Sequence, residues 1–274
     1  MKYCRVIAMV GLLGSVLAVV TGTQTTAQDK QPIQGPEIEQ FLTRAKITKL
    51  KDIPEGVTMP KKATLELNGV THFAVFKTID DGPVSRKELD SGVELQFQDS
   101  WRTEVAAYEL DKLIGLGMVP ATVERSYGGK HGSLQYWVDS AMTEQSRLEK
   151  KLNPPNRVEW ENQVAKIRLF DNLIYNTDRH LDNLLITDNW VIRLIDHSRT
   201  FRPFEQLKSP EKMTTFSRSL LTNLEMLNEP MLKQHVGKYL SNYQIQGLLK
   251  RRDAILALSR KLSADKGAGA VFYQ

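Results

Sequence analysis

The hydrophobic pattern changes halfway along the 274-residue chain, and this change limits the folds open to it. In the first half, apolar residues alternate with polar ones or are largely β-branched over 45–50, 63–67 and 70–78, as in strands. Asn68-Gly69 indicates a tight hairpin between the last two, because both turn positions take positive φ. Beyond residue 140, apolar residues recur mainly at helical spacing. A sheet-forming half followed by a helical half predicts an α+β fold of two lobes.

Turn residues divide the chain further. Residues 79–100 contain Asp81-Gly82-Pro83 and Ser91-Gly92, two breakers that favour a loop. A helix is predicted over 101–116, and strands are predicted on either side of Gly128-Gly129. In chain order, we expect a lead-in over 28–44 with a short helix near 36–44, a strand-rich lobe over 45–138, a helical lobe over 139–265 interrupted by strands at 184–186 and 190–195, and a frayed tail over 266–274.

The N-terminus has the pattern of an export signal. Lys2 and Arg5 precede an apolar run over 6–20, and small polar residues follow it, which predicts a signal peptide over 1–27. The alternative is an uncleaved anchor, although the run is shorter than the roughly 20 residues that span a bilayer. Cys4 is the only cysteine, so the rest of the chain forms no internal disulfide. With no Asn-x-Ser/Thr sequon, this predicts a periplasmic or secreted bacterial protein.

The charge balance excludes some partners. Lys and Arg total 37 against 32 Asp and Glu, a net charge of +5. Nucleic-acid binders carry a more marked basic stripe, so no nucleic-acid partner is expected. The basic stretch at 250–252 is interpreted as a solvated helix face. Membrane contact is expected only through the N-terminal segment, if that segment is retained.

A polar cluster interrupts the apolar helical half. Residues 176–183 lie between an apolar helix and a short strand, and a second strand ends at Asp196. Phosphoryl transfer needs one carboxylate that takes or orients the acceptor's proton, and an Asn and a second acid that hold divalent ions. Asp178 and Asn183 have the five-residue spacing of kinase catalytic loops. We therefore predict that Asp178 is catalytic and that Asn183 and Asp196 bind Mg²⁺ or Mn²⁺.

The first half supplies a complementary cation. Lys77 ends an apolar strand, where its ammonium can reach the α- and β-phosphates of a nucleotide. Glu104 lies in the first turn of the helix over 101–116 and can hold that ammonium in place, with Glu109 as the alternative. A strand lysine paired with a helix glutamate is the kinase ion pair.

These motifs resemble the atypical kinase-like families. Asp178-Arg179-His180-x-x-Asn183 followed by Leu194-Ile195-Asp196 is similar to phosphatidylinositol 3-/4-kinases, HipA-type kinases and the secretory-pathway family-20 kinases. The helix that starts near Glu104 looks most like the family-20 group, and the loop at Gly56 is similar to the HipA-type phosphate loop with one extra residue.

The resemblance implies a kinase-like fold that binds ATP or another nucleoside triphosphate with Mg²⁺ or Mn²⁺. It implies that Gly56 lies near the phosphates, and that backbone groups near Tyr136 to Val138, in the hinge between the lobes, bind the adenine edge. The acceptor is then a hydroxyl on a protein, a glycan, a lipid headgroup or a small molecule.

Three alternatives remain open at this point. In the first, the chain is a pseudokinase scaffold that binds nucleotide or a partner protein. In the second, it transfers a nucleotidyl group on the same fold. In the third, His180 and His197 bind a hydrolytic metal together with nearby aspartates. We expect instead that His180 braces the catalytic loop. Arg199 either contacts phosphate or pairs with an acid.

Overall fold

A computed structural model describes residues 33–54, 59–90 and 92–274. The predicted signal peptide over 1–27 and the proposed phosphate-loop residue Gly56 lie outside these ranges. Within them, no helix is long and apolar enough to cross a membrane.

The first half forms an antiparallel sheet, a separate hairpin and two helices. Its elements are α1 (Pro36–Arg44), β1 (Lys46–Asp52), β2 (Lys61–Leu67), β3 (Val70–Lys77), β4 (Asp80–Leu89), β5 (Gly92–Ser100), α2 (Trp101–Ile114), β6 (Thr122–Tyr127) and β7 (Lys130–Tyr136). The five sheet strands have the order β1-β2-β3-β7-β6. The predicted hairpin at Asn68-Gly69 is confirmed, since β2 and β3 pair across it with Leu67 opposite Val70.

The two helices contact opposite faces of the sheet and also contact each other, since Glu39 of α1 accepts from Tyr108 of α2 at 2.6 Å. Arg125 of β6 donates to backbone carbonyls at the C-terminal end of α1, so α1 covers that face. His131 of β7 points to the other face and stacks on Trp101 of α2, with ring centroids 5.5 Å apart. Side chains alternate along a strand, so His131 shares its face with Ser133, the register partner of Lys77. The sheet therefore directs Lys77 towards the α2 side.

The loop predicted over 79–100 is wrong, because these residues form the β4–β5 hairpin. The two supposed breakers are accommodated inside it. A register shift between Asp81 and Val84 takes up Gly82-Pro83, and Gly92 begins the second strand. Gly82 has φ 100°, and a Cβ there would lie 2.6 Å from the Phe97 carbonyl, so only glycine fits.

The second half is mainly helical. Its elements are β8 (Ala141–Thr143), α3 (Glu144–Glu149), α4 (Arg157–Leu173), β9 (Leu184–Thr187), β10 (Ile192–Leu194), β11 (Phe216–Ser217), α5 (Arg218–Met226), α6 (Glu229–Val236), α7 (Asn242–Lys266), α8 (Ala268–Val271) and β12 (Phe272–Tyr273). The two predicted strands are confirmed as β9 and β10, and the unpredicted β8 extends them to a small antiparallel sheet.

The C-terminal tail is ordered, which corrects the frayed tail predicted over 266–274. Val271 is buried, and β12 pairs in parallel with β11. The Tyr273 hydroxyl donates to the Asn162 carbonyl at 2.9 Å. The tail is fixed by partners more than fifty residues away, which local sequence patterns do not reveal.

The basic stretch at 250–252 also needs correction. Arg251 is fully buried, and its guanidinium donates to the carbonyls of Leu173, Arg202 and Phe204. This arginine joins α7 to the end of α4 and to the segment that follows Asp196.

Candidate active site

Lys77 lies between two carboxylates from distant parts of the chain. Its Nζ donates to Glu104 Oε1 at 2.5 Å and to Asp196 Oδ1 at 2.8 Å. Lys77 and Glu104 are both buried, and Asp196 is partly exposed. The structure thus brings these three sequence-predicted residues together. Glu109, the alternative partner, pairs instead with Lys112 at 2.9 Å.

The start of α2 places Glu104. Ser100 caps the helix by accepting the Arg102 N–H at 3.1 Å, so Glu104 falls in the first turn. The second carboxylate oxygen of Glu104 accepts the backbone N–H of His197 at 3.1 Å. One glutamate therefore positions both the lysine and the segment that starts at Asp196.

Lys77 and Glu104 stabilise each other's charged forms. Burial favours the neutral form of Glu104, but the Lys77 ammonium and His197 outweigh it, so the pKa of Glu104 lies well below its usual range. Burial likewise opposes the charge of Lys77, but Asp196 and Glu104 raise its pKa above the usual range. Both groups are therefore ionised at neutral pH.

Asp178 lies in a loop that its own polar residues hold closed. The backbone N–H of Asp178 donates to the Asn176 side chain at 2.9 Å, and the Asn183 amide donates to the Asp178 carbonyl at 3.0 Å. The Asp178 carboxylate faces two basic groups: His180 Nε2 lies 2.6 Å from Oδ1, and Arg199 Nη1 lies 3.7 Å from Oδ2. The carboxylate remains partly exposed.

Arg179, and not His180, braces this loop against the rest of the protein. Its guanidinium donates to Asp171 at 3.0 Å, to the Ile195 carbonyl at 2.8 Å and to His197 Nε2 at 3.1 Å. His180 is largely exposed and contacts Asp178 instead. His180 therefore hydrogen-bonds within the loop, and its neighbour Arg179 anchors the loop to the rest of the protein.

Asn183 and Asp196 retain oxygen atoms suited to a metal ion. The Ile195 N–H donates to the Asn183 carbonyl at 3.2 Å, which brings the two segments together. Lys77 and Ser198 donate to Asp196 Oδ1, and in the described part of the chain neither Asp196 Oδ2 nor Asn183 Oδ1 is hydrogen-bonded. Hard oxygen ligands of this kind suit Mg²⁺ or Mn²⁺.

The histidine-based metal alternative has no matching geometry. Among residues 33–54, 59–90 and 92–274, no three His, Cys, Asp or Glu side chains are grouped to hold a metal. His197 is fully buried, and burial lowers its pKa, so its neutral ring accepts from Arg179. His197 is thus a buried structural residue.

The hinge segment offers one unengaged backbone position. The Trp137 N–H donates to the Phe73 carbonyl at 3.1 Å, and the Trp137 carbonyl lies 3.1 Å from His72 Nε2. By contrast, the backbone of Val138 makes no hydrogen bond within the described residues. On the Lys77 face of the sheet, Lys62 Nζ lies 3.8 Å from the centre of a Trp137 ring.

The sequence missed the residues that the β4–β5 hairpin contributes. Glu94 of β5 forms ion pairs with Arg199 and Arg202, which follow Asp196. Asp99 lies near Asp196, and burial raises its pKa, with a further contribution from the Asp196 charge. The run Asp90-Ser91-Gly92 was the available signal, since such residues are typical of a tight turn between two strands.

Two small hollows in the described part of the chain lie outside this cluster. One of about 180 Å³ is lined by Leu50, Phe76 and Tyr127, and one of about 120 Å³ by Pro83, Gln98 and others. Neither is lined by Asp178 or Asp196. The candidate site is therefore defined by its convergent side chains.

Comparisons with solved structures identify the fold. Hydra Fam20, solved with sugar, aligns with a TM-score of 0.64 and 16% identity over 86% of this chain and 91% of its own. The Golgi casein kinase aligns with a TM-score of 0.60 and 14% identity over 86% of this chain and 77% of its own. The Helicobacter pylori proinflammatory kinase CtkA aligns with a TM-score of 0.47 and 11% identity over 82% of this chain and 98% of its own.

No protein-family model and no curated protein sequence matches the chain. At these identities the structural likeness shows the fold alone, and it confirms the expected kinase-like α+β fold with a sheet-rich first half and a helical second half.

Proposed function

We propose that this protein is an atypical kinase that transfers a phosphoryl group from ATP, or another nucleoside triphosphate, to a hydroxyl acceptor. The observation that carries the proposal is the position of Lys77, whose ammonium bridges Glu104 and Asp196. A lysine held in this way can be shared between the acid and the phosphates of a nucleotide.

Each residue has a defined part in the proposed reaction. Lys77 binds the α- and β-phosphates, and Glu104 holds it in place. Asp178 accepts or orients the proton of the acceptor hydroxyl. Asn183 and Asp196 hold the divalent ion, which neutralises phosphate charge when bound. Positioning and charge neutralisation supply the rate enhancement.

Two further residues are proposed to contact the ends of the nucleotide. Val138 offers its unengaged backbone groups to the adenine edge. Gly56 is proposed to approach the phosphates from the β1–β2 connection, outside the described residues. Both assignments follow from the kinase-like fold.

The acceptor and the location belong to the same proposal. Of the two similar structures, one is a Fam20 protein solved with sugar and the other is a casein kinase. We infer that this chain acts on a glycan or protein hydroxyl, and that it does so after export. A lipid headgroup and a small molecule are the remaining acceptor classes.

Two alternatives on this fold use the same site. A pseudokinase scaffold would bind nucleotide without transfer, although Lys77, Glu104, Asp178, Asn183 and Asp196 are all present. A nucleotidyl transferase would reverse the orientation of the triphosphate. Labelled ATP separates these alternatives, because a scaffold transfers no label and a nucleotidyl transferase transfers the α-phosphate instead of the γ-phosphate.

The test uses the purified full chain with α- or γ-labelled ATP and Mn²⁺ or Mg²⁺. We expect label from γ-labelled ATP on the protein itself or on an added acceptor, and we expect Asp178→Ala and Asp196→Ala each to reduce the rate at least about 100-fold. Asp188→Ala, an exposed aspartate in the β9–β10 turn, is the matched control and keeps the rate. Transfer from α-labelled ATP alone indicates nucleotidyl transfer, and equal activity in Asp178→Ala refutes the role of Asp178.

A further inference from the structure

Three basic side chains of the candidate site differ in how many of their nitrogen atoms are hydrogen-bonded to the protein. Arg179 directs all three of its nitrogen atoms to a carboxylate, to backbone carbonyls and to a ring nitrogen. Lys77 donates to two carboxylates. Arg199 donates only from Nη2, to Glu94. Its Nε has no hydrogen-bond partner in the described part, and its Nη1 is 3.7 Å from Asp178 Oδ2, too far for a hydrogen bond.

The hairpin fixes Arg199 in this position. Glu94 contacts the guanidinium groups of both Arg199 and Arg202. Arg202 is buried and also donates to the Leu95 carbonyl at 3.2 Å, which ties β5 to the segment after Asp196. Phe97 packs against Arg199, with the guanidinium carbon 5.4 Å from the ring centre. Arg199 is therefore a pre-positioned cation with unused donors beside the candidate base.

We propose that Arg199 is a further catalytic residue, which donates from Nη1 to the phosphoryl group during transfer, and that Glu94 is the positioning residue that aims it. The proposal rests on the proposed function. In the step, the acceptor oxygen bonds to the γ-phosphorus and its proton passes to Asp178. The bond from that phosphorus to the bridging oxygen breaks, and the electron pair leaves with the nucleoside diphosphate.

The position of Arg199 suits this role. Asp178 marks the place where the acceptor hydroxyl meets the phosphoryl group, and Arg199 is beside it. Charge in the transition state spreads over the equatorial phosphoryl oxygens, and an arginine supplied within the same chain stabilises it in other phosphotransferases. A guanidinium stays charged at all physiological pH values and is more weakly hydrated than an ammonium, so it suits a partly buried contact with a phosphoryl oxygen.

The test compares a ground-state ligand with a transition-state mimic. In the full-length protein with Mn²⁺, calorimetry measures the affinity for ADP alone and for ADP with aluminium fluoride. We expect the wild type to bind the mimic at least about tenfold more tightly than ADP, because an arginine acts mainly on transition-state charge. In Arg199→Met, ADP affinity stays within about twofold of the wild type. The tighter binding of the mimic relative to ADP, here called the mimic gain, disappears, and transfer slows about 1,000-fold.

Two further variants separate catalysis from structure. Arg86→Met removes an exposed arginine from the same hairpin and leaves ADP affinity, the mimic gain and the transfer rate unchanged. Glu94→Gln reduces the mimic gain while ADP affinity remains intact. A merely structural role of Glu94 would weaken both ligands together or neither.

Two outcomes overturn the inference while the proposed function survives. One is an intact mimic gain in Arg199→Met. The other is an Arg199→Met variant in which only the KM for the acceptor rises, which would mean that Arg199 binds an anionic group on the acceptor. Wild-type protein that binds no ADP at all would instead remove the proposed function, and the inference with it.

Discussion

The central interaction between single residues is the buried contact of Lys77 and Glu104. Each group lies where its charge is costly unless the other is present, and Glu104 also holds the His197 backbone. The sequence indicated the pair because a lysine at the end of an apolar strand and a glutamate in a helix's first turn are recognisable locally. It left the partner of Arg199 open and did not indicate the contact of Glu104 with His197, because those contacts depend on how the segment after Asp196 turns in space.

We predict that Glu104→Gln lowers the free energy of unfolding by about 3–5 kcal/mol at neutral pH, since it leaves the Lys77 charge without its closest partner. The lowered pKa of Glu104 means that the contribution is present above the ordinary carboxyl value and is lost as pH falls through the folded-state value. Because the pKa of Lys77 is raised, its contribution is fully present below the ordinary lysine value and is lost as pH rises through the folded-state value. Denaturant unfolding from about pH 3 to pH 10 measures the difference between variant and wild type.

The difference in unfolding free energy between Glu104→Gln and the wild type should be constant between about pH 5 and pH 10 and should shrink below about pH 4. Glu109→Gln is the matched control on the same helix, because Glu109 pairs with Lys112 at the surface, and its cost is below about 1 kcal/mol. A pH-independent loss in Glu104→Gln down to the acid limit would contradict this account of the ion pair.

Among the elements, the turn after α2 depends on one buried carboxylate. Asp111 accepts the backbone N–H groups of Gly117, Met118 and Val119 at 2.8–2.9 Å. The side chain of Gln34 also donates to it, at 2.9 Å. This turn sets the path from α2 into β6 and therefore the position of the sheet relative to Glu104.

Asp111→Ala should destabilise the fold by roughly 3 kcal/mol or more, because it leaves the buried backbone donors of Met118 and Val119 unsatisfied. Thermal unfolding measures the loss. Asp90→Ala, at an exposed position after β4, serves as the control and changes stability by less than about 0.5 kcal/mol. A similar melting temperature for both variants would show that the turn does not need the carboxylate.

The elements differ in how well local sequence predicts them. Strands β2 and β3 and helix α2 were predictable because periodicity and turn residues agree over their whole length. Hairpin β4–β5 was not, because Gly82-Pro83 is absorbed by an irregularity in register that no local pattern announces. The same missed hairpin carries Glu94, so an error in one element concealed a residue of the site.

In the whole molecule, the hairpin links the sheet-rich half to the helical half at the site, and α7 supports the same segment from within the helical half. The hairpin reaches the segment after Asp196 through Glu94, and the Gln98 side chain donates to the Thr200 carbonyl. From the other side, the buried Arg251 of α7 binds carbonyls of the same region. Burial lowers the pKa of Arg251 to about 10, so its charge persists at neutral pH. The order of strands and helices predicted the two halves, but not these long-range links.

The most direct measurement of the central claim is a crystal structure of the full chain with Mn²⁺ and a non-hydrolysable ATP analogue, with anomalous data at the manganese edge. We predict a manganese peak within bonding distance of Asp196 and Asn183, and Lys77 Nζ hydrogen-bonded to a phosphate oxygen. The adenine should contact the Val138 backbone. Nucleotide and manganese bound elsewhere, with Lys77 still enclosed by its two carboxylates, would contradict the account.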